Sequence, residues 1–238
     1  MVDTYQRIPP DCVDQVILVD DGSLDQTAAV AGTLDLDLIM HPHNAGYGAN
    51  QKTCYMEALR LGADIVIMLH PDGQYDPQII PQMIAAVRDG RGDFVMGSRF
   101  LPPHSALAGG MPRYKYIANR FLTFFENLVM GTKLSECHTG YRAYSRKLLE
   151  TVPFLRNSNN FAFDTQMIFQ ASHFGFTFAE VPVSTKYFNE ASSISFVASS
   201  VYGLHTLWIA FRYLLHRLKL WPYDIFKPAR RGEVRSDK

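Results

Sequence analysis

The chain has 238 residues, 47% of them hydrophobic, with 23 Lys and Arg against 23 Asp and Glu. That length suits one large domain with an appendage, and the apolar share can fill a sizeable core. The neutral balance argues against general nucleic-acid binding, which needs a basic field. Cys12, Cys54 and Cys137 are scattered and form no C-x-x-C, so neither zinc nor a disulfide framework is expected and a reducing cytosol fits. The neighbours Cys137 and His138 lack partners at ligand spacing and read as structural. Residues 1–12 are polar with Pro9-Pro10, so no signal peptide is expected there.

In chain order, Val13 to Val19 reads as a first strand ending in Asp20-Asp21-Gly22-Ser23. Ser23 with Gln26 has capping-box spacing for a short helix, with Gly32 as its stop. Leu36 to Met40 is a second strand, followed by the Gly-containing turn His41–Gly48 and a helix closed by Gly62. Ile65 to Leu69 is apolar throughout, as in a strand covered on both faces. It ends in the acidic turn His70-Pro71-Asp72-Gly73-Gln74. Asp76-Pro77 then opens a helix to about Val87, with Asp as cap and Pro at the first position. A fourth strand, Phe94 to Met96, leads into Gly97-Ser98-Arg99.

Strands alternating with helices at this spacing predict an α/β fold with a mainly parallel sheet flanked by helices. Right-handed connections bring the carboxyl ends of such strands to one edge. Asp20, Asp21, Gly46, Gly48, Asp72, Gln74, Ser98 and Arg99 should therefore converge. Asp72 and Gln74 offer hard oxygen donors, which suit Mg²⁺ or Mn²⁺ carrying a phosphate. The competing reading of that turn is an ordinary strand-to-helix connection.

Residues 101–116 read as a basic loop, either a surface connector or a lid whose Arg113 and Lys115 meet phosphate. Tyr116 to Met130 is a helix whose Phe121, Phe124 and Phe125 suit a core face. Asp164, after Asn160-Phe161-Ala162-Phe163, suits a helix cap or first turn. Thr177 to Val183 is a strand that Pro182 marks as an edge. Lys186 is the one cation of the loop 186–193. Phe196 to Trp221 is mostly apolar, but His205, Arg212, His216, Arg217 and Lys219 interrupt it, unlike a membrane-spanning helix. An amphipathic helix over 196–226 either lies at a membrane interface or packs on the sheet. A charged tail, 227–238, follows.

Seven segments in order, VILVDDGSLDQT (16–27), HPHNAGYGANQKT (41–53), DGQYDP (72–77), GSRF (97–100), TGYRAY (139–144), FAFDTQM (161–167) and EVPV (180–183), resemble family 2 glycosyltransferases of the GT-A fold. The resemblance is closest to the branch that makes dolichol- and polyprenyl-phosphate sugars. It covers residues 13–195 and implies a GT-A domain over 1–195. It also implies a nucleotide-sugar donor, a divalent metal (Mg²⁺ or Mn²⁺), inversion, and polyprenyl phosphate or another cell-envelope acceptor. A peripheral place at the cytoplasmic face of the membrane follows. Asp20 and Asp21 match the family's nucleotide-contacting acidic pair; Gly46, Gly48 and Lys186 join them on the donor side. Asp72 matches the last Asp of the metal-binding D-x-D and Gln74 the metal-associated Gln. Arg99 matches the arginine of the GSR segment. Arg113, with Lys115, falls where that branch binds the acceptor phosphate. Asp164 is the candidate base should the acceptor be a hydroxyl.

Two departures stand out. His70 replaces the first carboxylate of the D-x-D, and imidazole suits Mn²⁺ better than Mg²⁺. The family's opening βα unit is expected to be missing, since Thr4-Tyr5-Gln6-Arg7 looks like the end of its first helix. Both departures favour a rival reading, a GT-A domain that binds nucleotide or a partner without turnover. A nicotinamide-binding protein is disfavoured because no G-x-G-x-x-G follows the first strand.

Overall fold

The structure is a computed structural model, and it describes residues 1–101, 105–185 and 196–229. Helix α1 (Val2–Gln6) precedes β1 (Ile17–Asp20), α2 (Thr27–Ala31), β2 (Asp37–Met40) and α3 (Tyr47–Arg60). Then come β3 (Ile65–Met68), a 3₁₀ turn at Pro77–Ile79, α4 (Ile80–Arg88) and β4 (Phe94–Ser98). The second half holds α5 (Ser105–Ala108), α6 (Arg113–Met130), β5 (Arg142–Ser145), α7 (Arg146–Thr151), α8 (Ala162–His173), β6 (Phe178–Pro182) and α9 (Phe196–Arg217).

β1 and β2 form a parallel pair of their own, while the larger sheet runs β3-β5-β4-β6. The α/β expectation holds, but that sheet is mixed. β5 lies antiparallel to both β3 and β4, and only β4 and β6 are parallel. β5 also carries the register that builds the site: Arg142 at its start stands opposite both Met68 and Met96. β6 occupies the edge, where Pro182 costs no ladder bond.

Alternation along the strands divides the core. Phe94, Met96 and Tyr144 face one cluster with Tyr55, Phe163 and Phe169, while Val95 and Ala143 face another with Met83 and Val181. Helix α8 is buried from Ala162 to Ala171, so its sequence shows no polar stripe. The Asp76-Pro77 start behaves as read: the Asp76 side chain accepts from the Gln78 N–H.

Three local expectations are corrected. Ser23 caps nothing; its N–H donates to Asp20, and α2 begins later, at Thr27. Residues 105–108 and 113–115, expected in a loop, are helical, and Pro112, with φ −57°, immediately precedes the first turn of α6. Phe125 packs on the core, but Phe121 and Phe124 are 60% and 67% exposed.

That exposure belongs to a larger face. α6 and α9 pack side by side, with Leu122 next to Gly203 and the Arg217 guanidinium donating to the Val129 carbonyl. Their outer sides carry Ile117, Phe121, Phe124, Leu204, Trp208 and Phe211, all exposed. The C-terminal helix packs chiefly on α6 and α8 rather than on the sheet, and leaves its other side bare and apolar.

Candidate active-site cleft

A cleft of about 620 Å³ opens between the carboxyl ends of β3 and β4 and the pair α6/α9. Asp72, Gln74, Arg99, Lys115, His138 and Asp164 line its polar part. Met111, Leu122, Phe161, Leu204 and Leu207 also line it, together with Tyr47, Asn119, Ser199, Ser200 and Tyr202. A cavity that combines charged groups with leucine side chains can take a ligand that has both a charged and an apolar part.

The Asp72 turn is a local device. Its Oδ1 accepts from the Gln74 N–H at 3.0 Å, and Gly73 takes φ +76°, so both side chains leave the strand end together. Two hard oxygen donors lining one cleft are of the kind that Mg²⁺ or Mn²⁺ takes. Among the described residues no group of three or more His, Cys, Asp or Glu forms a metal-binding set. His70 lines the same cleft as Asp72 and Gln74. Its Nε2 lies 3.4 Å from the Tyr47 hydroxyl, and the ring stacks between Tyr47 and Tyr75 at centroid distances of 5.8 and 6.2 Å. Burial lowers its pKa and keeps the ring neutral. Gly140 makes this placement possible: a β carbon there would stand 2.2 Å from His70 Nε2.

Asp164 is held from three directions. Tyr47 Oη donates to it at 2.8 Å, Gln51 Nε2 at 3.1 Å, and the Arg142 guanidinium stands 3.4 Å away. Arg142 is fully buried and also donates to the carbonyls of Thr139 and Asp164 at 2.8 and 2.9 Å. Asp164 thus ties Tyr47, Gln51 and Arg142 into one cluster at the wall of the cleft.

The first strand end turns inward on itself. Asp20 accepts from the Ser23 N–H. Asp21 receives the N–H groups of Ala45 and Gly46, each at 2.9 Å, and His41 Nδ1 at 2.7 Å. Burial would raise the Asp21 pKa, but these bonds outweigh it and hold the carboxylate below its usual range. Gly46 and Gly48 press against the 158–159 backbone, where β carbons would meet Asn159 O at 2.5 Å and Ser158 O at 2.3 Å. Gly48 N–H donates to Asn159 O at 2.8 Å. The expected convergence is thus partial, since none of these four is among the described residues lining the cleft.

Arg99 lines the cleft but its guanidinium clasps the buried Glu136 carboxylate, with Nε to Oε1 at 2.7 Å. Lys115 lines the cleft from the first turn of α6, whereas Arg113 sits exposed at the helix start. Lys186 lies outside the described residues. Tyr47, Arg142 and Tyr202 are cleft or support residues that the sequence reading left without a role, and His138, read there as structural, joins them at the cleft. Arg142 stood inside TGYRAY, but its importance arises from total burial. The other three acquire theirs through contacts spanning 37 to 117 positions.

Comparison with known proteins matches this arrangement. The family profile described as Glycosyl transferase family 2 matches residues 4–152. The polyprenol monophosphomannose synthase of Mycolicibacterium smegmatis is 28% identical over 176 residues, 71% of this chain and 65% of that protein. The UDP-N-acetylglucosamine–dolichyl-phosphate N-acetylglucosaminyltransferase of Methanococcus voltae is 27% identical over 191 residues, 73% of this chain and 75% of that protein. Among solved structures, glucosyl-3-phosphoglycerate synthase of Mycobacterium tuberculosis with UDP superposes with a TM-score of 0.64 at 18% identity, covering 92% of this chain and 74% of that one. This likeness shows the GT-A fold. The same enzyme has been crystallised with Mg²⁺ and UDP, and with Mn²⁺, UDP and its product.

Proposed function

The chain belongs to glycosyl transferase family 2, and we propose that it moves a sugar from a nucleotide-sugar donor to the phosphate of a polyprenyl phosphate, with inversion and with Mg²⁺ or Mn²⁺. The observation that carries this reading is the cleft. Asp72, Gln74 and Lys115 share one space with Leu122, Leu204 and Leu207 of α6 and α9. A sugar-lipid phosphate likewise joins a charged head to an apolar chain. Relatives named for polyprenol and dolichyl-phosphate products support the acceptor class.

Asp72 and Gln74 would hold the metal against the donor diphosphate, where it neutralises charge on the leaving group. Lys115 adds a cation for a phosphate at the α6 entrance. The acceptor phosphate is itself an anion near pH 7 and attacks the anomeric carbon from the face opposite the diphosphate. The bare apolar side of α6 and α9 would rest on the cytoplasmic face of a membrane and present the cleft to the lipid. No helix among the described residues is long and apolar enough to cross a membrane. Residues 1–195 would carry the chemistry and the C-terminal helix the docking.

Purified chain, a UDP- or GDP-sugar and a short isoprenyl phosphate, with and without Mg²⁺ or Mn²⁺, test the reading. Metal-dependent formation of a sugar isoprenyl phosphate of inverted anomeric configuration is expected. Asp72→Ala should lower the rate by at least about 100-fold, the scale of losing a main charge-stabilising group; an unchanged rate would remove Asp72 from the metal site.

One observation favours the second reading, binding without turnover: the residue in the first D-x-D position is a buried, neutral imidazole engaged with Tyr47. That reading predicts nucleotide binding with no donor consumed.

A further inference from the structure

Glu126 is an anomaly of α6. It is completely buried in a helix face otherwise built of Leu122, Thr123 and Met130. Among the described residues, neither of its carboxylate oxygens receives a hydrogen bond. His138 Nε2 stands 3.1 Å from Oε2, at ion-pair distance but poorly aimed for a hydrogen bond. The other ring nitrogen, Nδ1, is 3.1 Å from the Tyr202 hydroxyl, which lies 3.3 Å from Thr165 Oγ1. His138 and Tyr202 both line the cleft. Carboxylate, imidazole and phenol thus run from the protein interior to the cavity wall, contributed by α6, the loop before β5, and α9.

We propose that Glu126, His138 and Tyr202 form a proton-accepting relay that strips the last proton from the acceptor phosphate as it enters the cleft. The idea rests on the reading of the cleft as an acceptor-phosphate site. A buried carboxylate with no donor aimed at it is costly until a positive charge forms beside it, and a proton arriving on His138 makes that charge. Burial keeps the Tyr202 hydroxyl protonated, so Tyr202 passes a proton on rather than standing as a phenolate.

In the step, the P–O–H proton moves to Tyr202 Oη while the Tyr202 proton moves to His138 Nδ1. The phosphate becomes a dianion facing an imidazolium–carboxylate pair. Its oxygen then bonds the anomeric carbon as the C–O bond to the diphosphate breaks, with that electron pair leaving on the nucleoside diphosphate. His138 returns its proton to solvent after product leaves. The relay matters because a phosphate monoester has its second pKa near 6 in water. Desolvation in the cleft and the nearby Asp72 and Asp164 oppose loss of that proton, while Lys115 favours it. The other charged groups near the relay are Glu136 on the same loop, paired with Arg99 from the end of β4, and Arg142, which donates from Nη2 to the Cys137 carbonyl and pairs with Asp164. These are already engaged. Glu126 is thus the charge that responds to a proton on His138. Glu126 and His138 are positioning residues; Tyr202 touches the substrate.

The experiment is a ³¹P NMR pH titration of geranyl phosphate bound to the full chain with Mg²⁺ and UDP or GDP, in wild type, Tyr202→Phe and Glu126→Gln. The bound phosphate should become a dianion at a pH lower by about one unit in wild type than in Tyr202→Phe, a tenfold difference in proton affinity. Turnover in the same two variants should fall about tenfold at pH 6, with the deficit narrowing as pH rises and the donor KM unmoved. Tyr202→Phe keeps the ring and reads the relay even if Glu126→Gln does not fold. Equal titration midpoints, or a deficit independent of pH, would overturn the relay while leaving the acceptor reading in place. If wild type does not bind geranyl phosphate, the acceptor reading fails and the relay with it.

Discussion

Gly140 has no room for a side chain because the His70 ring occupies the space its β carbon would take. Overpacking of this kind costs about 1–3 kcal/mol. Gly140→Ala is expected to lower stability by that amount in urea unfolding, and His70→Ala in the same chain should restore most of it. Additive losses would show that the two positions are independent. His70 also links stability to pH. Its folded pKa lies below the unfolded value near 6.5 because burial disfavours the imidazolium. Below that pH the unfolded chain binds a proton that the folded chain refuses, so stability is complete above about pH 6.5 and declines as pH falls. His173 and His216 are shifted in the same direction by burial. Replacing His70 by Asn should therefore flatten, without abolishing, the fall in urea midpoint between pH 7.5 and 5.5.

Helix α3 shows packing and propensity in opposition. Alanine is favoured over glycine inside a helix by about 1 kcal/mol. At position 48 that gain meets the Ser158 carbonyl 2.3 Å from the new methyl, in backbone that cannot swing aside. Gly48→Ala should lose about 1–3 kcal/mol net, measurable as a lower melting temperature. For α6 and α9 the test lies in their shared apolar face. Phe121 and Trp208 are more than half exposed on neighbouring helices, and Lys115 and Arg217 lie on the same two elements. Burying one such ring in an interface is worth up to about 1.5–3 kcal/mol. Phe121→Ser with Trp208→Ser should weaken co-sedimentation with anionic vesicles at least about tenfold while leaving the fold intact by circular dichroism. Unchanged sedimentation would show that another surface meets the lipid.

At the scale of the whole molecule, the donor should stabilise the fold that builds its pocket. A ligand bound only by the native state adds about 2.7 kcal/mol at a hundred times its Kd. UDP and GDP are each expected to report in a thermal titration with Mg²⁺ whether they are the donor's nucleotide, and only the matching one should raise the melting temperature by several degrees. The sequence by itself determined what acts over a few residues. Apolar runs marked β3 and β4, Asp76-Pro77 marked a helix start, and the ordered acidic and Gly-containing turns marked the family. Those signals are local, set by backbone sterics, capping and burial period. Tertiary structure alone decided which turns share a cavity. Reversing β5 put Arg142 between the ends of β3 and β4 and drew Asp164 into its ion pair, while the pairing of α6 with α9 set Leu122, Leu204 and Leu207 along the cleft and buried Glu126 beside His138. Such contacts join residues up to 117 positions apart, and their energy depends on neighbours and solvent access that no window of sequence contains.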